Sequence, residues 1–221
     1  MKILVVNSNT TRAVTDTIAA EAQLAASPGT EIVAVTAPFG PAAIQGRTDA
    51  VIAAHATLEA IIRHPGPVDA AVIACFSDPG LMAARDAAGF PVVGIAEASM
   101  LTACMLGARF AVVTVAPGTV RPIHELAAAY GLAQRLASVR ALDVGVLESH
   151  ADREGTVRGL KGLIERAASE DRADVAILGG AVTAGMARQL SAGSPIPVLD
   201  GVACAVRQAE LLAGLGRKAR S

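Results

Sequence analysis

One cysteine stands where a thiol can do chemistry. Cys75 ends the apolar run Ala70–Ala74, which is typical of a buried strand, and it opens the loop Phe76-Ser77-Asp78-Pro79-Gly80, after which a helix begins. Free backbone N–H groups at a helix start lower the pKa of a thiol and can bind an oxyanion. The alternative is a small buried residue that only packs. We predict that Cys75 is the catalytic residue, as an acid/base or as a nucleophile.

Polar side chains follow the first apolar run at the equivalent point of the chain. Asn7 and Asn9, in Asn7-Ser8-Asn9-Thr10-Thr11, offer amide groups that could bind a carboxylate or an imide ring, or cap the next helix. The turn at Gln45-Gly46 is predicted to border the same cleft. His124 is a weaker acid/base candidate because it lies outside these motifs.

Common cofactor motifs are missing from the strand ends. No Walker loop, dinucleotide-binding glycine turn or nucleophile elbow occurs there, and Cys75, Cys104 and Cys204 match no zinc spacing. Cys104 and Cys204 lie among aliphatic residues and are predicted to pack. We therefore expect chemistry with no cofactor and no metal.

Short apolar runs alternate with longer stretches of helical period. The strands predicted in this way are 3–6, 31–35, 70–74, 92–95, 110–115, 138–143, 175–178 and 198–199. The predicted helices are 11–26, 47–64, 79–88, 97–106, 119–130, 151–169, 182–191 and 201–214. This alternation predicts an α/β fold with parallel sheets wrapped by helices, in which ligands bind beyond the carboxyl ends of the strands.

An internal repeat divides the chain into two similar halves. The segment from Asp69 to Cys75, followed by Gly80, recurs about 105 residues later as Asp174 to Gly180, followed by Gly185. The first half is predicted to span 1–107, with a C-terminal helix at about 203–221 that packs back on it, and the second half 108–202. Since equivalent loops of a duplicated fold face one cleft, we expect Cys75 and Gly180 on opposite sides of a substrate.

Composition excludes several classes of partner. The 19 Lys and Arg nearly balance the 20 Asp and Glu, and the chain has no Trp, one Tyr and four Phe. Neither a basic surface nor aromatic stacking platforms are therefore expected, and we predict no nucleic-acid partner. The basic tail Arg217-Lys218-Arg220 is read as a frayed terminus. No apolar stretch is long enough for a membrane span, and three cysteines without an export signal favour a reducing, cytoplasmic location.

Several segments resemble the hydantoin and allantoin racemases of the aspartate/glutamate racemase superfamily. The resemblance runs over nearly the whole chain, through Asn7-Ser8-Asn9-Thr10-Thr11, Ala74-Cys75-Phe76-Ser77-Asp78-Pro79-Gly80, Gly94-Ile95-Ala96-Glu97-Ala98, Tyr130-Gly131-Leu132, Ser138-Val139-Arg140 and Asp200-Gly201-Val202. It implies two flavodoxin-like halves related by pseudo-twofold symmetry, with the active site between them. It also implies a homo-oligomer.

The same resemblance implies two thiols, and this chain has only one of them. In that family a cysteine from each half flanks the acidic carbon, and no cofactor is used. Cys75 matches the first, but Gly180 stands where the second would lie, in Leu178-Gly179-Gly180-Ala181-Val182-Thr183. Racemisation needs proton exchange at both faces of a planar intermediate, so water beside Gly180, or less well Thr183, would have to serve the second face.

The resulting expectation is an isomerase acting on a 5-substituted hydantoin or a small carboxylate. The groups predicted to bind the substrate are Asn7, Asn9, Phe76, Ser77, Thr114, Gly180, Ala181 and Thr183. Three alternatives stay open with a single thiol. They are a decarboxylase of malonate-type acids resembling arylmalonate decarboxylase, a maleate isomerase or C–N hydrolase with Cys75 as nucleophile, and a non-catalytic binder of small ureides or carboxylates.

Overall fold

The computed structural model describes residues 1–216, and the predicted basic tail lies outside this range. The strands are β1 (Lys2–Asn7), β2 (Glu31–Thr36), β3 (Ala70–Ile73), β4 (Val92–Gly94), β5 (Phe110–Val115), β6 (Leu136–Leu142), β7 (Val175–Leu178) and β8 (Val198–Asp200). The helices are α1 (Arg12–Ala25), α2 (Arg47–Ile62), α3 (Leu81–Ala87), α4 (Ile95–Leu106), α5 (Val120–Ala129), α6 (Val146–Ala151), α7 (Arg153–Ser169), α8 (Met186–Ser191) and α9 (Gly201–Gly216).

Two parallel sheets of four strands form the framework. The first has the order β2-β1-β3-β4 and the second the order β6-β5-β7-β8, so each strand of one sheet has a counterpart in the other. Helices flank both sheets. The predicted α/β class with two parallel-sheet halves is confirmed, and strand order reverses next to β1 and next to β5, where such sheets bind ligands.

The central strands are buried on both faces, which explains their uninterrupted aliphatic sequences. All residues of β3, β5 and β7 are buried. One core cluster joins Val5 and Val72 of the first sheet to Val112 and Ile177 of the second through α1, α4 and α9. Helix α9 lies against α1, α4 and β3, which agrees with a C-terminal helix that returns to the first sheet. The division of the chain into domains stays a prediction.

Two segments differ from the sequence prediction. The helix predicted over 182–191 starts only at Met186, because 181–183 form a 3-10 turn and Gly185 adopts a left-handed backbone, φ +81°. Helix α6 was not predicted. It is followed at once by α7, whose first turn is capped by the Asp152 carboxylate, an acceptor for the Gly155 N–H at 2.8 Å.

Within residues 1–216 no helix is long and apolar enough to cross a membrane.

Candidate active site

A cavity of about 360 Å³ lies at the carboxyl ends of the strands and is lined by both halves. The first half supplies its reactive and polar groups around Cys75, and the second half supplies Thr114, Gly180 and an apolar helix face. The lining residues are Asn9, Val14, Ile44, Gln45, Gly46, Arg47, Ala50, Ala74, Cys75, Phe76, Ser77, Thr114, Val115, Thr119, Pro122, Ile123, Glu125, Leu126, Ala129, Val146, Gly180, Ala181 and Val182. Equivalent loops of the repeat therefore meet at one site.

Cys75 is the cysteine that lines this cavity. Its Sγ lies 3.3 Å from the Ser77 hydroxyl. Burial raises the pKa of the Cys75 thiol above its usual range and outweighs the hydrogen bonds from the Ser77 hydroxyl and from the Ser77 and Phe76 N–H groups, which lower it. The predicted lowering of this pKa is therefore wrong, because an apolar surrounding disfavours the thiolate more than the local donors stabilise it.

Asp78 holds the loop that carries Cys75. Its carboxylate accepts hydrogen bonds from the N–H groups of Ala96 (3.0 Å) and Glu97 (2.8 Å) at the start of α4 and from the Tyr130 hydroxyl (2.7 Å). Its backbone has φ +42°, a left-handed conformation that is uncommon outside glycine and that aspartate adopts more readily than most residues. Burial raises the pKa of Asp78 to about 6 despite these hydrogen bonds.

The close packing around Asp78 explains a glycine in β4. A Cβ placed on Gly94 would overlap the Asp78 carboxylate. We expect Gly94→Ala to lower the free energy of unfolding by about 1–3 kcal/mol, because the carboxylate must leave its donors or the strand must shift. Urea unfolding measures the change. Gly89→Ala is the control, since a Cβ there meets no atom within 4 Å. An equal loss of stability in both variants would contradict the packing argument.

The two asparagines after β1 have different positions. Asn9 lines the cavity. Asn7 is 1% exposed and does not. Its Nδ2 donates to Asn9 Oδ1 and Thr15 Oγ1, both at 2.9 Å, and its Oδ1 accepts the Asn9 N–H. Asn7 therefore lies behind Asn9 with its amide engaged in orienting it, and its contact with a substrate stays a prediction.

At Gly180 the second half presents a backbone edge that carries no titratable side chain. Gly180 has φ +102°, and the 3-10 turn 181–183 starts directly after it. Within residues 1–216 no acceptor is bonded to the N–H groups of Gly180 and Ala181. Thr114, also on the wall, donates its hydroxyl to the Gly179 carbonyl at 2.8 Å. Two backbone donors are therefore available to an oxygen of a bound molecule.

Thr183 and His124 are not part of this wall. Thr183 is 1% exposed, and its hydroxyl donates to the Gly180 carbonyl at 2.7 Å, so it shapes the turn and does not reach the cavity. His124 is on α5 but outside the lining. The roles predicted for Thr183 and His124 thus find no support in the lining of the cavity and stay predictions. Cys104 and Cys204 pack in the core cluster, as predicted.

Contacts between the halves join residues that line the cavity. Arg47, at the start of α2, forms an ion pair of 2.7 Å with Glu125 of α5. Gln45 accepts the Val146 N–H at 3.3 Å. Sequence reasoning placed Gln45-Gly46 at the cleft but missed Arg47, Glu125 and the apolar face of α5. The helical spacing of Pro122, Leu126 and Ala129 was the available signal, although such spacing is equally typical of a core-facing helix.

No group of three or more His, Cys, Asp or Glu side chains in the described part of the chain is arranged to hold a metal ion. The acidic and basic residues that do cluster form ion pairs with each other. Arg85, for example, donates to both carboxylate oxygens of Glu97 next to Asp78.

Comparison with known proteins places these features in a family. A sequence model described as Asp/Glu/Hydantoin racemase matches residues 3–209. The hydantoin racemase of Pseudomonas sp. (strain NS671) is 42% identical over 99% of this chain and 88% of its own. The allantoin racemase from Klebsiella pneumoniae has a TM-score of 0.93 and 42% identity, covering 98% of this chain and 89% of the other. The allantoin racemase from Pseudomonas fluorescens has a TM-score of 0.95 and 39% identity, covering 100% and 95%. The chain is a member of the Asp/Glu/hydantoin racemase family.

Proposed function

We propose that the protein racemises 5-substituted hydantoins without a cofactor, with Cys75 exchanging the proton at C5. The observation that carries this proposal is the meeting of one thiol and the free amides of Gly180 and Ala181 in a single cavity between the halves. The family membership and the relatives named hydantoin and allantoin racemase support it. They favour racemisation over the decarboxylase, hydrolase and binder alternatives.

The lining of the cavity favours an apolar substituent at C5. Aliphatic side chains form most of the wall away from Cys75, including Ile44 from the first half and Ile123, Leu126 and Val146 from the second. An alkyl or aryl group would remove this surface from water, whereas the polar ureido group of allantoin would lose hydrogen bonds to water there. We therefore expect alkyl and aryl hydantoins to be better substrates than allantoin.

The chemistry of the first face follows from Cys75. Its thiolate takes the proton from C5, and the electron pair of the broken C–H bond moves into the adjacent carbonyl to give a planar enolate. The Gly180 and Ala181 N–H groups would donate to the enolate oxygen, where negative charge develops in the transition state. Asn9, which lines the same cavity, could bind the imide of the ring.

The chemistry of the second face needs a proton from solvent. No titratable side chain stands at Gly180, so a water molecule in the space beside Gly180 and Thr114 would protonate C5 from that side. The hydroxide that remains is neutralised through solvent by the proton on Cys75. This step has no positioned acid, and we expect it to be the slower of the two proton transfers.

The rate should rise with pH because the thiolate is the base. The pKa of Cys75 is raised above its usual value of 9.0, so only a small fraction is ionised at neutral pH. We expect the exchange rate to increase through about pH 6 to 10. Removing the Ser77 hydroxyl, which lowers this pKa, should move the rise to higher pH in Ser77→Ala. Initial rates measured across this range for both proteins provide the test, and a pH-independent rate would contradict a thiolate base.

The function is tested by NMR and polarimetry of (S)-5-benzylhydantoin in D2O with the purified protein. Deuteration at C5 together with loss of optical rotation supports the proposal, and allantoin should react more slowly. No exchange above the uncatalysed rate would reject it and would favour a malonate, maleate or amide substrate.

The cytoplasmic location stays a prediction, and so does the homo-oligomer, for which the exposed apolar side chains of Met105 and Leu215 offer support.

A further inference from the structure

A hydrogen bond between the halves connects the reactive loop to the apolar wall. Tyr130 directly follows α5, and its hydroxyl donates to Asp78 Oδ2 at 2.7 Å. Neither side chain lines the cavity. Leu126 and Ala129, in the last turns of α5, do line it. The end of α5 would contact the C5 substituent of a substrate. The hydrogen bond therefore fixes this end of the helix relative to the loop that carries the Cys75 thiol.

The Asp78 side of this bond is rigidly held. The Asp78 N–H donates to the Cys75 carbonyl at 3.0 Å, and its own carbonyl accepts the Leu81 N–H at 3.1 Å. The two α4 N–H groups engage the carboxylate, which is 5% exposed. These four hydrogen bonds hold both the side chain and the backbone of Asp78 in place. Any movement of Tyr130 relative to Asp78 is therefore a movement of α5 relative to Cys75.

Charge makes the bond stronger than an ordinary one. Asp78 is a buried carboxylate with Glu97 of α4 and Arg85 of α3 near it. A hydroxyl that donates to an ionised carboxylate forms a charge-assisted hydrogen bond, which is about twice as strong as a neutral one. Burial, and after it the nearby Asp78 charge, raises the pKa of Tyr130, so the phenol stays protonated and remains a donor.

We propose that Asp78 and Tyr130 are a positioning pair, which sets the separation between Cys75 and α5 and thereby places C5 of a substituted hydantoin against the thiol. The inference rests on the proposed function, since it assigns α5 to the substituent. A small displacement of a bound substrate from the reacting group can lower a rate by more than tenfold. The pair should matter most for substrates with a substituent long enough to reach α5.

Tyr130→Phe tests the pair with two substrates. We expect kcat for C5 deuteration of 5-benzylhydantoin to fall about tenfold, because the substituent is no longer held in register with the thiol. Unsubstituted hydantoin has no group to contact α5, so its rate should change by less than about twofold. A general loss of folded protein would lower both rates equally. Equal losses, or no loss on either substrate, would overturn the proposal.

A second measurement does not depend on hydantoin turnover. The rate of Cys75 alkylation by iodoacetamide at high pH, followed by peptide mass spectrometry, reports access to the thiol. Loosening of α5 in Tyr130→Phe should raise this rate about tenfold. Cys104, which is partly exposed outside the cavity, is the internal control and should not change. An unchanged Cys75 rate, or a parallel rise at Cys104, would overturn the inference. If the native protein exchanges no hydantoin, the proposed function fails and this measurement alone decides on the pair.

Discussion

Replacing Cys75 by serine should lower C5 deuteration of 5-benzylhydantoin by about 10²–10⁴-fold, which is the usual contribution of a positioned acid/base. Serine keeps the size of the side chain and its place next to the Ser77 hydroxyl. A serine hydroxyl, however, is a far weaker acid than a thiol, and the burial that already raises the pKa of Cys75 would disfavour an alkoxide even more. The variant should therefore fold and bind but lose the base.

Cys104→Ser is the matched control for this substitution. Cys104 packs against the core cluster on α4 and lies outside the cavity, so its loss should leave the exchange rate within about twofold of the native value. Titration of a hydantoin into Cys75→Ser by calorimetry separates an enzyme from a binder. Retained binding with lost exchange identifies Cys75 as the catalytic group. Full exchange in Cys75→Ser would assign the chemistry to another residue.

The sequence was sufficient to predict the framework of the molecule because periodicity reports burial. Aliphatic runs predicted the central strands, such as β3, β5 and β7, since strands covered on both faces tolerate little else. The edge strand β6 was also predicted, although it is partly exposed and carries Arg140. The repeat predicted that Cys75 and Gly180 belong to one site, and both line the cavity. This prediction depends only on where each residue lies along its strand, and the repeat places Cys75 and Gly180 at the same point of two equivalent strands. The carboxyl end of a parallel strand is a fixed place in the fold.

Orientation of side chains was less accessible to sequence reasoning. Asn7 and Asn9 both follow β1, but only Asn9 reaches the cavity because the Asn7 amide is bonded inward to Thr15. The pKa of Cys75 was predicted with the wrong sign, because nearby N–H donors can be inferred from a helix start whereas the burial of the thiol cannot. Part of the cavity wall comes from the other half of the chain. Contacts of this kind depend on how the halves pack.

The bond between Asp78 and Tyr130 illustrates the same limit. Both residues belong to segments that resemble the racemases, yet they are 52 positions apart, and no spacing rule joins them. Once the halves are assembled, the requirement for glycine at position 94 and the left-handed backbone of Asp78 follow from one buried carboxylate. A glycine in β4 and an aspartate in the loop after β3 can therefore be explained only once the segment packed against each of them is known.

Introducing a thiol in the second half, at Gly180, should increase racemisation. A Cβ on Gly180 would meet only Val182 Cγ1 at 3.8 Å and Thr114 Oγ1 at 3.9 Å, which are ordinary van der Waals contacts. The Cβ of Gly180→Cys therefore meets no steric obstacle. Its cost is the backbone, because φ +102° is unfavourable for residues with a Cβ and should reduce stability by about 1–3 kcal/mol. A positioned acid on the second face should raise the rate of loss of optical rotation by about 10²-fold.

The ratio of two rates distinguishes a true second acid from a general change of the site. In the native protein Cys75 can return a solvent deuteron to the face from which it took the proton, so deuteration with retention should be faster than loss of rotation for the enantiomer whose C5–H faces Cys75. In Gly180→Cys the two rates should approach each other, because the deuteron can then be delivered to either face. Gly180→Ala carries the same backbone cost without a thiol and should gain nothing. A comparable gain in Gly180→Ala, or an unchanged ratio in Gly180→Cys, would mean that the second proton does not arrive from the Gly180 side.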